Sequence, residues 1–167
     1  MRFLNISYLG QSHNHVSLYI THHTEYPFLQ GRALWFAAQY ADALPVAFIQ
    51  QFLNGSVEAL KSSSPSPIVH VFAMKAIVTF CSQLQKDILK PFQKGWLESL
   101  SCWAPHVADE ALILLLEALN SVIKVLYILL TLKIDLCVTA EYEGVITPLL
   151  VTIWSRGCNG ISFDLST

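Results

Sequence analysis

Shifting the chain by forty residues superimposes its apolar positions. Ala33 falls on Ala73, Ala37 on Ile77, Tyr40 on Phe80 and Leu44 on Leu84. In the same register Ile49 falls on Leu89, Phe52 on Phe92, Val57 on Leu97 and Leu60 on Leu100. Such a period constrains the fold more than any other feature of the sequence. A repeat of about forty residues is one supersecondary unit that cannot bury its apolar face alone, so copies must stack.

The unit is a pair of helices. Val46, Ile49, Leu53, Val57 and Leu60 step by three or four and share one side of a helix, with Gln50, Gln51, Asn54, Glu58 and Lys61 opposite. Val69, Ala73, Ala76, Phe80 and Leu84 form the next stripe, and Leu89, Phe92, Trp96, Leu100 and Trp103 its partner. Ala108, Leu112, Leu115, Leu119 and Val122 continue the pattern in a third copy, while strand alternation appears over no useful length. Pro45 disfavours helical geometry at Leu44 and suits the first turn of the helix that follows. Ser62 to Pro67 reads as an inter-repeat loop, Pro105 separates the second repeat from the third, and Gly144 and Pro148 are expected to flank a last helix ending near Trp154.

The fold expected is therefore all-α, a HEAT/armadillo-type helical-hairpin solenoid of about three repeats, with hairpins near Phe28 to Lys61, Ile68 to Trp103 and Ala108 to Arg156. The period exceeds the roughly 34 residues of a tetratricopeptide unit, whose motif is absent. Stacking also accounts for the composition: 53% hydrophobic against 13% charged residues, where globular domains carry about a quarter charged. Three hairpins with no polar capping repeat leave apolar ends.

Residues 111–138 raise a membrane reading, that of a small membrane protein. Glu117, Asn120, Lys124, Lys133 and Asp135 interrupt the run, and a span needs about twenty apolar residues, so no membrane insertion is expected. A net charge of −2 lacks the basic footprint of direct nucleic-acid binding. Charge is uneven along the chain. Residues 1–97 hold seven Lys/Arg and four Asp/Glu, whereas residues 98–143 hold two Lys and seven Asp/Glu.

Catalytic readings are weak. Cys102 and His106 stand four apart with Asp109 nearby, but Pro105 breaks the helix that would align them. His13, His15, His22 and His23 crowd the N-terminus without a carboxylate or thiolate at ligand spacing. Neither a glycine-rich phosphate loop nor a nucleophile elbow occurs. The sequence points to no enzyme, no catalytic or metal site and no cofactor. The four cysteines lack zinc spacing and no secretory leader precedes them, which favours a reducing compartment. His70 aligns with an outward, polar position of its helix.

The stretch "YPFLQGRALWFAAQYADALPVAFIQQFL", followed by "AMKAIVTFCSQL" and "LKPF", resembles the central HEAT repeats of importin-β superfamily karyopherins, nearest the importin-nine branch. The resemblance covers residues 25–160. It implies part of a nuclear transport receptor in the cytoplasm and nucleus, with protein cargo, the Ran GTPase and FG nucleoporins as partners. Relatives in that branch carry basic cargo such as core histones. Residues 1–24 match nothing in the family, roughly ten apolar residues near 125–134 interrupt the third hairpin, and 161–167 form an unmatched tail. These three segments are expected to be translated non-coding sequence around a true piece of a larger receptor. The second helix of each HEAT hairpin generally lines the concave face, which points to Gln51, Asn54, Glu58 and Lys61 and then Lys90, Lys94 and Glu98 as partner-binding residues. Lys86, Lys90 and Lys94 step by four as a small basic stripe, and the acid-rich residues 98–143 suit a basic partner. A HEAT or armadillo scaffold of another assembly is the alternative.

Overall fold

A computed structural model describes residues 26–61, 66–133 and 136–159, with side chains over 26–61, 66–128 and 142–156. Segments 1–24 and 161–167, set apart above, lie outside it. Helix α1 is Pro27–Gln39 and α2 is Val46–Lys61; α3 is Pro67–Gln83, and α4 is the single turn Lys86–Leu89. They are followed by α5 at Gln93–Trp103, α6 at Asp109–Lys133 and α7 at Leu136–Asn159. Among the described residues there is no strand.

The helices pair as the period requires, into a HEAT-like solenoid of three hairpins. α1, α3 and α6 stack in one layer, with α1 on α3 and α3 on α6; α2, α5 and α7 stack in a second layer in the same order. α3 also packs on α2, and α6 on α5, so each hairpin closes on the one before it through both layers. The core runs between the layers and is richest on α3, where Val69, Ala73, Met74, Ala76, Ile77 and Phe80 are all fully buried. Between α1 and α3 the approach is close. A Cβ on Gly31 would come within 2.5 Å of the Phe72 ring, so glycine is what lets this helix pair reach its spacing.

The breakers act largely as their chemistry dictates. Pro45 precedes α2 and its carbonyl accepts from Phe48 N–H at 2.9 Å and Ile49 N–H at 3.1 Å. α1, however, stops at Gln39, and a 3-10 turn at Ala41–Ala43 carries the chain to the extended Leu44. The connection is thus longer than the sequence suggested. Ser66 stands at the N-cap position of α3 without a side-chain capping bond and Pro67 is the first residue of the helix, while Pro105 lies in a 3-10 turn between the second and third hairpins. Pro91 bends the second hairpin's return helix through a 3-10 turn at Lys90–Phe92, splitting it into α4 and α5.

One expectation is corrected in the third hairpin. Gly144 and Pro148 do not flank the last helix; α7 runs through both to Asn159. A proline ring crowds the carbonyl four residues back, and here that residue is Gly144, where an added Cβ would meet nothing within 4 Å. The backbone has room to yield there, and Thr152 Oγ1 donates to the Pro148 carbonyl at 2.9 Å. The apolar run from Val125 continues α6 to Lys133 without a break, and Val125 and Leu126 join the core. Ile134 lies outside the described residues. Asp109–Ile128 is, among the described residues, the one stretch long and apolar enough to cross a membrane. It packs Leu115, Ala118 and Val122 into the solenoid, with about a third of the stretch buried.

Arg156, near the end of α7, ties the third hairpin to the preceding turn. Its guanidinium donates to the Ala104 carbonyl at 2.8 Å, to the Val107 carbonyl at 2.7 Å and to Asp109 Oδ1 at 2.7 Å.

Two outcomes test this packing. Phe80→Ala empties a fully buried site in the central helix and should cost about 3 to 5 kcal/mol in denaturant unfolding. Burial pushes the Cys81 thiol up from 9.0 to about 12, against the opposing pull of Lys86. The native state therefore favours the neutral thiol, a contribution complete below pH 9.0 and lost as pH climbs toward about 12. Native-state labelling at mildly alkaline pH should modify the exposed Cys102 and spare Cys81, as peptide mapping will read.

Candidate partner-binding surface

The surface presented by α2 and α5 depends on one buried hydrogen bond between the two helices. Trp96 Nε1–H donates to Ser56 Oγ at 2.9 Å, and the Ser56 hydroxyl donates in turn to the Leu53 carbonyl at 2.7 Å. Both residues are fully buried. Their numbers differ by forty, so the bond joins equivalent positions of successive repeats. A serine hydroxyl accepts and donates at once, which satisfies the indole without leaving a buried polar group unmade. Fixing Ser56 against Trp96 also fixes the outer positions: Asn54 and Lys94 stand at one level of the repeat, and Glu58 and Glu98 at the next.

All seven sequence-predicted residues reach the surface. Gln51, Asn54, Glu58 and Lys61 are exposed along one side of α2, Lys94 and Glu98 are exposed on α5, and Lys90 is exposed in the turn before it. Lys61 Nζ pairs with Glu58 at 3.5 Å, with both side chains at least half exposed. The basic stripe is altered. The break at Pro91 puts Lys86, Lys90 and Lys94 on three separate elements, and Lys86 Nζ turns back to donate to the Cys81 carbonyl at 2.7 Å, at the end of α3. Lys86 therefore serves the fold, where a basic side chain favourably meets the carbonyl end of a helix.

At one edge of this surface the ends of α2 and α5 and the start of α3 enclose a cleft of about 410 Å³ lined by Leu60, Lys61, His70, Glu98, Ser99, Cys102 and Trp103. His70 is not outward and solvated as its alignment suggested. It is only 4% exposed, stacked on the Trp103 ring at 4.8 Å and 5° between planes. The periodicity placed it on the polar side of its own helix, and a tryptophan on the same hairpin's return helix covers that side. Nothing local joins two residues so far apart in the chain. The cleft combines the Trp103 wall with Lys61 and Glu98 beside it.

No catalytic constellation forms from the candidates. Cys102 and His106 are both exposed, and Asp109, which would have oriented the histidine, is engaged by Arg156. Among the described residues no group of three His, Cys, Asp or Glu side chains is placed to hold a metal ion. The N-terminal histidines lie outside those residues.

The fold is that of a HEAT-like helical-repeat solenoid. No family model matches the chain. It is similar to Importin subunit beta-5 of Schizosaccharomyces pombe, at 33% identity over 127 residues. The match takes in 75% of this chain and 12% of that protein. The similarity supports an importin-β family relationship.

Because the candidate residues are exposed, they are separable from the fold. Alanine at Asn54, Glu58, Lys61 or Glu98 should change unfolding free energy by no more than about 0.5 kcal/mol, as chemical denaturation checks. Any loss of partner binding in these variants then reports on the surface itself.

Proposed function

We propose that the chain is part of the repeat array of a nuclear transport receptor, which binds protein cargo without chemistry of its own and exchanges it in response to the Ran GTPase. The observation that carries this reading is the 33% identity to an importin subunit, extending along most of a chain whose hairpins stack as such an array requires. The receptor works in the cytoplasm and nucleus and meets FG nucleoporins in passage. Its cargo contacts fall on Gln51, Asn54, Glu58, Lys61, Lys90, Lys94 and Glu98. Basic cargo such as histones suits Glu58 and Glu98 at equivalent positions of two repeats, together with the exposed Glu110, Glu117 and Glu143 farther along.

The test uses the full-length product of the gene with purified core histones and Ran held in its GTP form. A transport receptor retains the histones alone and releases them when Ran-GTP is added. Retention that ignores Ran identifies a HEAT or armadillo scaffold instead. Within the receptor, Glu58→Lys together with Glu98→Lys should weaken histone retention roughly ten-fold or more, since each reversal replaces attraction by like-charge repulsion.

A further inference from the structure

The return helices of the first two hairpins differ in one stretch. In the first hairpin Val46–Lys61 is a single helix. Forty residues on, the chain breaks at Pro91: α4 is one turn, Lys90–Phe92 is a 3-10 turn, and regular helix resumes only at Gln93. Pro91 stands where α2 has Gln51. It has no backbone N–H to donate, and its ring crowds the carbonyl of Asp87. The broken stretch is also lightly held. Leu89 is its one buried residue, whereas the equivalent stretch of α2 buries both Ile49 and Phe52. The Lys86 bond to the Cys81 carbonyl supplements that single anchor.

Beside the break lies a buried amide. Gln93 is 1% exposed, and helical spacing sets it on the core side of α5 with the fully buried Trp96, Leu97 and Leu100. Neither its Nε2 nor its Oε1 has a hydrogen-bond partner among the described residues. The position one repeat earlier is Leu53, which is apolar and fully buried. Glutamine is therefore a costly residue here, because an amide taken from water without a partner weighs against the closed packing. That cost acts on the most weakly held neighbour, since water reaches the amide once the neighbour moves away.

We propose that residues 86–92 form a hinged flap, which lifts from the solenoid about Gln93 while α3 and α5 stay folded. Closing buries Leu89 but strands the Gln93 amide; opening exposes Leu89 and hydrates the amide. The two effects oppose each other, so the flap opens at far lower cost than the hairpin unfolds. Lys90 travels with the flap, while Lys94 and Glu98 stay on α5, so the motion changes the spacing of candidate contacts within one repeat. The proposal does not rest on the transport reading.

Native-state hydrogen exchange, read by mass spectrometry on the full-length product of the gene, tests this with α2 as an internal reference. The N–H groups of Ile88 and Lys90 are hydrogen-bonded in the closed form, yet amides in 86–92 should exchange about ten-fold or more faster than those in 46–52. Gln93→Leu installs the residue of the preceding repeat and should slow exchange over 86–92 about ten-fold, leaving 46–52 and 67–83 as they were. Gln93→Met, unbranched and of similar length, replaces that variant if it loses helical circular dichroism. Protection of 86–92 equal to that of 46–52 overturns the proposal. So does exchange that the substitution leaves unchanged, because the buried amide then does not drive opening. Equal slowing in every helix overturns it too, as Gln93 would then set overall stability alone.

Discussion

Everything in this molecule depends on α3 being covered on two sides. Among the described residues it is the one first-layer helix with a neighbour before it and another after it, and six of its apolar residues are fully buried. Alanines at 73 and 76 keep it slim, while Gly31 makes room for Phe72. Close approach converts a modest stripe into a core, because dispersion falls away within fractions of an ångström and apolar burial counts only when water is gone. Among the described residues the flanking first-layer helices have one such neighbour each.

The second layer is held by a different kind of contact. The Ser56–Trp96 hydrogen bond is directional, and a one-residue slip would orphan a buried indole N–H. Hydrophobic stacking alone tolerates small offsets; a buried donor does not. The register of α2 against α5, and with it the alignment of Asn54 with Lys94 and of Glu58 with Glu98, follows from that pair. The binding surface proposed here is thus built from below, by residues that never reach it. The Arg156 contacts do comparable work at the last hairpin, where the guanidinium holds two turn carbonyls and one carboxylate.

The similarity to an importin subunit and the stacked hairpins are independent observations that agree on architecture. They differ in reach. Packing speaks to the repeat, and similarity speaks to the lineage, across 12% of the relative's length. What the surface binds follows from neither, which is why charge reversals on Glu58 and Glu98 are needed to test it.

The sequence by itself determined the all-α class, the forty-residue hairpin, the stacking order and the exposure of Gln51, Asn54, Glu58, Lys61, Lys90, Lys94 and Glu98. These are consequences of period and amphipathicity, which are properties of each helix and its immediate successor. Tertiary structure alone decided the rest. His70 is polar and sits on the polar side of its helix, yet Trp103 of the same hairpin's return helix covers it. Lys86 matches the spacing of a basic stripe, but the carbonyl end of α3 claims it. Pro148 obeys a rule that ends helices, and α7 passes through because the glycine four residues back leaves the backbone room to yield. In each case the local preference is worth about 1 to 3 kcal/mol, and a neighbour brought close only by folding outweighs it.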